Sequence, residues 1–335
     1  MSGVPTLTGA ALDGADPALQ AAVLRGLDAV EDRLREVVAS SHPMLAESSS
    51  HLARAGGKRV RPVLALLAAS LGDAAAPAVL DAAVVVELTH LATLYHDDVM
   101  DEAVVRRGAP SANARWTNTV AILTGDYLFA RASDLTADLG TQATHIQSRT
   151  FARLVEGQIA ETAGPRPGQD AVEHHLQVIV DKTASLLATS ARLGALMAGA
   201  SAADVDAVAE FGEVFGIAFQ LSDDLIDITS DARDSGKTPG TDLREGVHTL
   251  PVLLVLADDD PPSRRLRELL ADDLTDDDRL DEALRLLRAH PAMGTARSRL
   301  MGYVGQARAV AARLPAGPTR DALLGLTDFV VARTG

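Results

Sequence analysis

Leu94-Tyr95-His96-Asp97-Asp98-Val99-Met100-Asp101 ends the most apolar stretch of the chain and sets three carboxylates at i, i+1 and i+4. On a helix, Asp97 and Asp101 lie one turn apart on one face, with Asp98 rotated by about 100°. Such a cluster repels itself and is costly beside an apolar wall. A divalent cation removes that cost, and Mg²⁺ favours carboxylate oxygens, with waters or phosphate oxygens completing its shell. The same spacing returns in Gln220-Leu221-Ser222-Asp223-Asp224-Leu225-Ile226-Asp227, again after an apolar run. One cluster alone reads equally well as a solvated acidic helix end. Two clusters in apolar surroundings predict helices that face each other across a cavity and hold metal between them.

The segment leading into the first cluster predicts a helix from about Ala78 to Met100. It is apolar nearly all round, which places it at the centre of the fold. Its exceptions share a face: His90, Thr93, Asp97 and Asp101 fall within an arc of about 80°, and Val86 continues the stripe one turn deeper. A histidine on the face of a metal cluster reads as a ligand-contacting group. Upstream, Gly56-Gly57-Lys58-Arg59-Val60-Arg61-Pro62 combines close backbone approach, three cations and a helix start, which suits an anion. A basic helix-start loop fits the same residues. Downstream, Arg106-Arg107 stand in a loop where two guanidiniums can reach two different anions.

The 335 residues allow one large domain or two smaller ones, and 47% are hydrophobic, enough for a sizeable core. Aromatics are 3%, and the Ala/Leu-rich composition favours helices over strands. A net charge of -15 argues against broad nucleic-acid binding, while leaving room for a local cationic pocket. The chain has no cysteine, so disulfides, thiolate nucleophiles and cysteine-ligated zinc are excluded. No signal peptide is visible, and Asp81 and Glu87 interrupt the most apolar run. These features predict a soluble cytoplasmic protein.

Residues 1–16 are small and polar and are expected to be poorly ordered, followed by one all-α domain over 17–335. Helices are expected over about 17–55, 63–71, 118–138, 142–163, from beyond Gly168 through Met197, 203–228, 280–288, 296–314 and 319–332. No strand, repeat or linker is predicted. Gly212, Gly216, Gln220, Asp223 and Asp227 form one stripe, and its glycines admit either a ligand tail or a neighbouring helix. The polar segment 231–250, with Gly236-Lys237-Thr238-Pro239-Gly240-Thr241-Asp242, suits a loop that closes over a site. The acidic runs at 258–260 and 276–278 read as solvated loops and helix starts, with Pro261-Pro262 breaking the first.

The ordered set GGKRxRP at Gly56–Pro62, Asp97–Asp101 with Arg106-Arg107, Lys182-Thr183, Gln220 with Asp223–Asp227, and GKxxGxD at Gly236–Asp242 resembles the trans-isoprenyl (polyprenyl) diphosphate synthases. The resemblance spans roughly residues 50–255. It implies the isoprenoid synthase fold, an all-α bundle around a deep central cavity, as a homodimer. It also implies head-to-tail (1′-4) addition of isopentenyl diphosphate to an allylic diphosphate, with about three Mg²⁺ ions per active site, which Mn²⁺ can replace.

By that resemblance Asp97, Asp101, Asp223 and Asp227 hold metal, and Asp98 and Asp224 complete or orient the shell. Lys58, Arg61, His90 and Arg107 bind isopentenyl diphosphate. Arg106, Lys182, Thr183, Gln220 and Lys237 contact the allylic diphosphate. The catalytic set is Asp97, Asp98, Asp101, Arg106, Lys182, Asp223, Asp224 and Lys237. Two departures stand out: His175 replaces a common tyrosine, and Val247-His248 stand where many members carry a lysine, a role His248 is placed to take. Thr89, Ala92 and Thr93 are the chain-length positions. None is bulky, so a long product of about C30 to C50 is expected, with Phe129 a candidate for the floor. A short-chain farnesyl or geranylgeranyl diphosphate synthase, a class I terpene cyclase and a partner subunit of a heteromeric synthase are the alternatives. Membrane contact is expected to be peripheral at most, for product release.

Overall fold

The computed structural model describes residues 12, 14–229, 239–258, 261–272 and 274–334. In chain order the helices are α1 (Pro17–Val37), α2 (Pro43–Arg54), α3 (Val60–Ala69), α4 (Pro77–Met100), α5 (Ala112–Arg115), α6 (Asn118–Asp138), α7 (Thr141–Ala163) and α8 (Ala171–Ile179). A π-helical turn, Val180–Ala184, joins α8 to α9 (Ser185–Met197). Then come α10 (Ala202–Thr229), α11 (Thr241–Arg244), α12 (Leu250–Leu256), α13 (Pro261–Leu270), α14 (Asp277–Ala289), α15 (Pro291–Ala311) and α16 (Pro318–Ala332). Prolines open α1, α2, α4, α15 and α16, where the missing N–H costs nothing. Asp16, Thr117 and Asp170 accept backbone N–H bonds at the starts of α1, α6 and α8.

Helix α4 is the hub. It packs on α6, α3 and α9, while α10 packs on α9 and α15. By length and composition α4 could cross a membrane, but most of its apolar window is buried inside the bundle. Leu88, Leu91 and Tyr95 fill the core on the α6 side, and Phe211 and Phe215 fill it on the α10 side. Gly212 and Gly216 are occupied by a helix: a Cβ on either would meet the Ala188 or Ala184 Cα at 2.8 or 2.6 Å. The glycine stripe of α10 therefore lets α9 and the π turn approach, and no ligand tail packs there.

Four local features depart from the sequence reading. Leu12, inside the segment expected to be poorly ordered, is 1% exposed and belongs to the core; residues 1–11 and 13 lie outside the described residues. A two-residue hairpin pairs Val105–Arg106 (β1) with Ala109–Pro110 (β2). Its loop residues Arg107 (φ 54°) and Gly108 (φ 76°) both take positive φ, as a type I′ turn requires. Helices α12 and α13 occupy Leu250–Leu256 and Pro261–Leu270, where the sequence reading places no helix, with Pro261 at a helix start. The helix expected to run unbroken through Lys182 contains the π turn.

Candidate active site

One cavity of about 1460 Å³ is lined by residues from both acidic motifs: Asp97 and Asp101 on α4, and Asp223, Asp224 and Asp227 on α10. Lys58, Arg61, His90, Arg106, Arg107, Lys182, Thr183 and Gln220 line it too. Its apolar wall includes Thr93, Leu94, Phe129, Phe151, Leu154, Leu186, Leu187 and Phe219. A single chamber thus carries both charged and apolar lining.

Burial pushes the Asp97 carboxyl up to about 6, with Lys182 opposing the shift and Asp101 adding to it. Asp101 is raised for the same first reason, burial. The Asp224 Oδ2 is buried with no hydrogen-bond partner. Carboxylates held at a cost in this way fit a divalent cation. Among the described residues no three acidic or histidine side chains converge tightly enough to hold an ion alone.

Asp98 has another task. It is fully buried, does not line the cavity, and accepts a 2.6 Å bond from Arg106 Nε. Its Oδ1 thus holds Arg106, while its Oδ2 is buried with no hydrogen-bond partner. Both Asp227 carboxylate oxygens accept backbone N–H bonds, from Thr241 (3.2 Å) and Asp242 (3.1 Å), tying α10 to the segment after residue 238. Asp223 Oδ1 accepts from Arg333 Nη1 at 2.8 Å, with Lys58 Nζ at 3.4 Å. The Arg333 guanidinium also lies 4.4 Å from the Phe219 ring centroid, so the last helix reaches back to the second motif.

Lys182 pairs with Glu161 of α7. Thr183 Oγ1 donates to Gln220 Oε1 (3.2 Å), and Gln220 Nε2 donates to Asp224 Oδ1 (2.9 Å). His175 Nε2 stands 3.4 Å from the second Asp224 oxygen. The π turn sets this row, and π turns recur at functional sites. It sits where α7 comes closest: a Cβ on Gly157 would be 2.8 Å from the Lys182 backbone nitrogen.

The cationic pocket is built from the Gly56–Arg61 turn, α4 and the hairpin. Burial draws Arg61 down to about 10, and its Nε has no hydrogen-bond partner. Burial, reinforced by Arg61 and Arg107, holds His90 well below its ordinary value, hence neutral. Arg107 donates from Nη1 to the Gly56 and Leu52 carbonyls. Its guanidinium lies where a Cβ on Gly57 would stand, 2.9 Å from Cζ, which explains the glycine there.

Of the three chain-length positions, Thr93 lines the cavity. Ala92 is fully buried on the α6 side, and Thr89 Oγ1 accepts from Gln147 at 2.5 Å within the bundle. Neither of these two side chains lines the cavity. Phe129 lies against Phe151, ring centroids 4.3 Å apart, in the cavity wall. His248 borders a separate surface hollow with Leu243 and Leu270, so it does not supply the missing lysine at the cavity. Lys237 lies outside the described residues.

The sequence reading passed over Glu161, Arg333, and the pair Glu87 and Arg59. Glu87 carried the clearest signal: an acid inside a helix that is otherwise apolar all round needs a partner.

A family model described as Polyprenyl synthetase matches residues 42–287. A nonaprenyl diphosphate synthase from Mycobacterium tuberculosis is 48% identical over 334 residues, covering 99% of each chain. A geranylgeranyl pyrophosphate synthase from Corynebacterium glutamicum, solved with calcium and isoprenyl diphosphate, has TM-score 0.86 and 45% identity, covering 96% of this chain and 98% of that one. A decaprenyl diphosphate synthase from Rhodobacter capsulatus has TM-score 0.85 and 36% identity over 95% and 99%. Fold and site together define an all-α prenyltransferase of the isoprenoid synthase type. The chain belongs to the polyprenyl synthetase family, enzymes that work with a divalent metal.

Proposed function

We propose that this chain adds isopentenyl diphosphate head-to-tail (1′-4) to an allylic diphosphate, repeatedly, to give an all-trans polyprenyl diphosphate of about C30 to C50. The observation that carries the reading is one cavity lined by both acidic motifs and by the cationic cluster of Lys58, Arg61 and Arg107. Asp97, Asp101 and Asp223 would hold Mg²⁺, with Asp224 and Asp227 orienting the second motif. When bound, Mg²⁺ supplies Lewis-acid stabilisation of the departing diphosphate.

The chain's own groups do the rest. Arg106, fixed by Asp98, joins Lys182, Thr183 and Gln220 around the allylic diphosphate, with Lys237 assigned there by resemblance. Lys58, Arg61 and Arg107 bind the diphosphate of the isopentenyl substrate, and neutral His90 donates a hydrogen bond. The apolar wall keeps water from an allylic cation formed at the mouth. Growth runs past Thr93 toward Phe129 and Phe151.

Exposed Leu123 on α6 supports a homodimer in which a second copy covers that helix, whereas Ile122, Val155 and Ile159, also exposed, border the cavity itself. Light scattering during gel filtration tests that.

The test of function is the purified protein alone with Mg²⁺, an allylic primer and radiolabelled isopentenyl diphosphate. Labelled polyprenyl diphosphates are expected. Cyclic hydrocarbons would point to a cyclase. No turnover until another subunit is added would point to a partner subunit, and C15 or C20 as the main product would overturn the long-chain reading.

A further inference from the structure

Inside α4, three residues before His90, sits a carboxylate that borders the cavity and to which the proposed reaction assigns no part. Glu87 is 1% exposed and accepts a 2.6 Å bond from Arg59 Nη1. The same Glu87 oxygen lies 3.8 Å from Arg107 Nη2. Its charge is also felt at Arg61, the guanidinium that burial draws down. Arg59 is gripped from its other side by Glu31 of α1, through Nε and through Nη2 at 3.1 Å, and Nη2 also donates to the Ala53 carbonyl at 2.9 Å. With these acceptors taken, Arg59 is committed to the protein, unlike Arg61 with its unpartnered Nε.

Arg59 also stands in the left-handed region (φ 46°) at the start of α3, a conformation that an arginine holds only when its surroundings impose it. The carboxylates of Glu31 and Glu87 hold its guanidinium in that conformation. Lys58 and Arg61 flank Arg59 in sequence, so the torsion at Arg59 sets how these two are presented. Arg107 straps the same turn from the hairpin side through the Gly56 carbonyl.

We infer that Glu87, seconded by Glu31, is a positioning residue for the isopentenyl diphosphate pocket: it clamps Arg59, steadies Arg107 and thereby fixes the presentation of Lys58 and Arg61. A buried pair that served stability alone would not distinguish between substrates. A clamp on one pocket must, because the groups of the allylic site are fixed by Asp98, Glu161 and Gln220 instead. The inference rests on the assignment of the Lys58 pocket to isopentenyl diphosphate.

The experiment is steady-state kinetics with each substrate varied in turn, on Glu87→Gln, Glu31→Gln and Lys58→Ala. Glu87→Gln is expected to raise KM for isopentenyl diphosphate about tenfold or more, because a charge-assisted network is loosened. KM for the primer should stay within about twofold, and kcat should change less than that KM. Glu87→Asp should restore part of the loss. Glu31→Gln, at the half-exposed end of the clamp, should shift the same KM by about threefold, and it keeps the test alive if Glu87→Gln fails to fold. If Lys58→Ala leaves KM for isopentenyl diphosphate unchanged, the pocket assignment fails and the clamp with it. If Lys58→Ala raises that KM while the folded glutamate variants leave it alone, or weaken both substrates equally, the clamp is overturned.

Discussion

Asp97 shows what a metal-site carboxylate costs the protein before metal arrives. Its ordinary value is near 3.8, and burial raises it to about 6 in the folded chain. A carboxyl raised by folding binds its proton more tightly when folded, so the associated stability is fully present below about pH 4. It is lost as pH climbs through about 6. Asparagine mimics the protonated form. Metal-free wild type and Asp97→Asn should therefore unfold at similar denaturant concentrations at pH 4. At pH 8 wild type should be the weaker by about 1–2 kcal/mol, after allowance for partial solvent access. Urea titrations in chelator at both pH values check this, and a wild type that gains on the variant as pH rises would contradict the assigned cause. Mg²⁺ acts in the opposite sense, since it binds the deprotonated form and should stabilise wild type more at pH 8 than at pH 5.

At the scale of elements, the acidic motifs were legible because the helical period places i and i+4 together whatever the tertiary context. The cationic turn was legible because its glycines, cations and Pro62 are consecutive. What escaped was set by contacts between distant segments. Glu31 and Glu87 lie 28 and 28 residues from Arg59, on either side, and no local pattern joins them. The π turn has the same origin: Val180–Ala184 carries ordinary helix-forming residues, and its extra residue reflects how α7 and α10 press on it. Gly157 marks the closest approach. Gly157→Ala would place a Cβ 2.8 Å from the Lys182 nitrogen and 3.1 Å from the Asp181 Cβ, so the turn must shift. The expected result is a loss of kcat of about tenfold or more through displaced Lys182 and Thr183, with KM for isopentenyl diphosphate nearly unchanged. An unchanged kcat in a folded Gly157→Ala protein would show that the π turn tolerates its neighbour moving.

At the scale of the whole molecule, the bundle leaves α4 with two unlike faces, and product length depends on which residue stands on which. Ala92 and Thr93 are neighbours in sequence, and a helical wheel alone separates them only by degree. The packing separates them completely. Ala92 is buried against α6, whose Gly125 would bring a Cβ within 3.2 Å of the Ala92 carbonyl, while Thr93 lines the cavity between the metal motif and Phe129. Thr93→Phe should block the path of the growing chain and shift the main product toward C15 to C20, about one helical turn below Asp97. The first condensation should be largely kept, because the diphosphate-binding groups are untouched. Ala92→Phe should behave differently: a benzyl group forced into the α4–α6 packing costs about 1–3 kcal/mol of stability, and the surviving protein should still release long products. Chromatography of dephosphorylated products, paired with thermal melts of both variants, reads the two effects separately. Wild-type product length from Thr93→Phe, or truncation by Ala92→Phe without loss of stability, would mean that the growing chain takes a different route through the bundle.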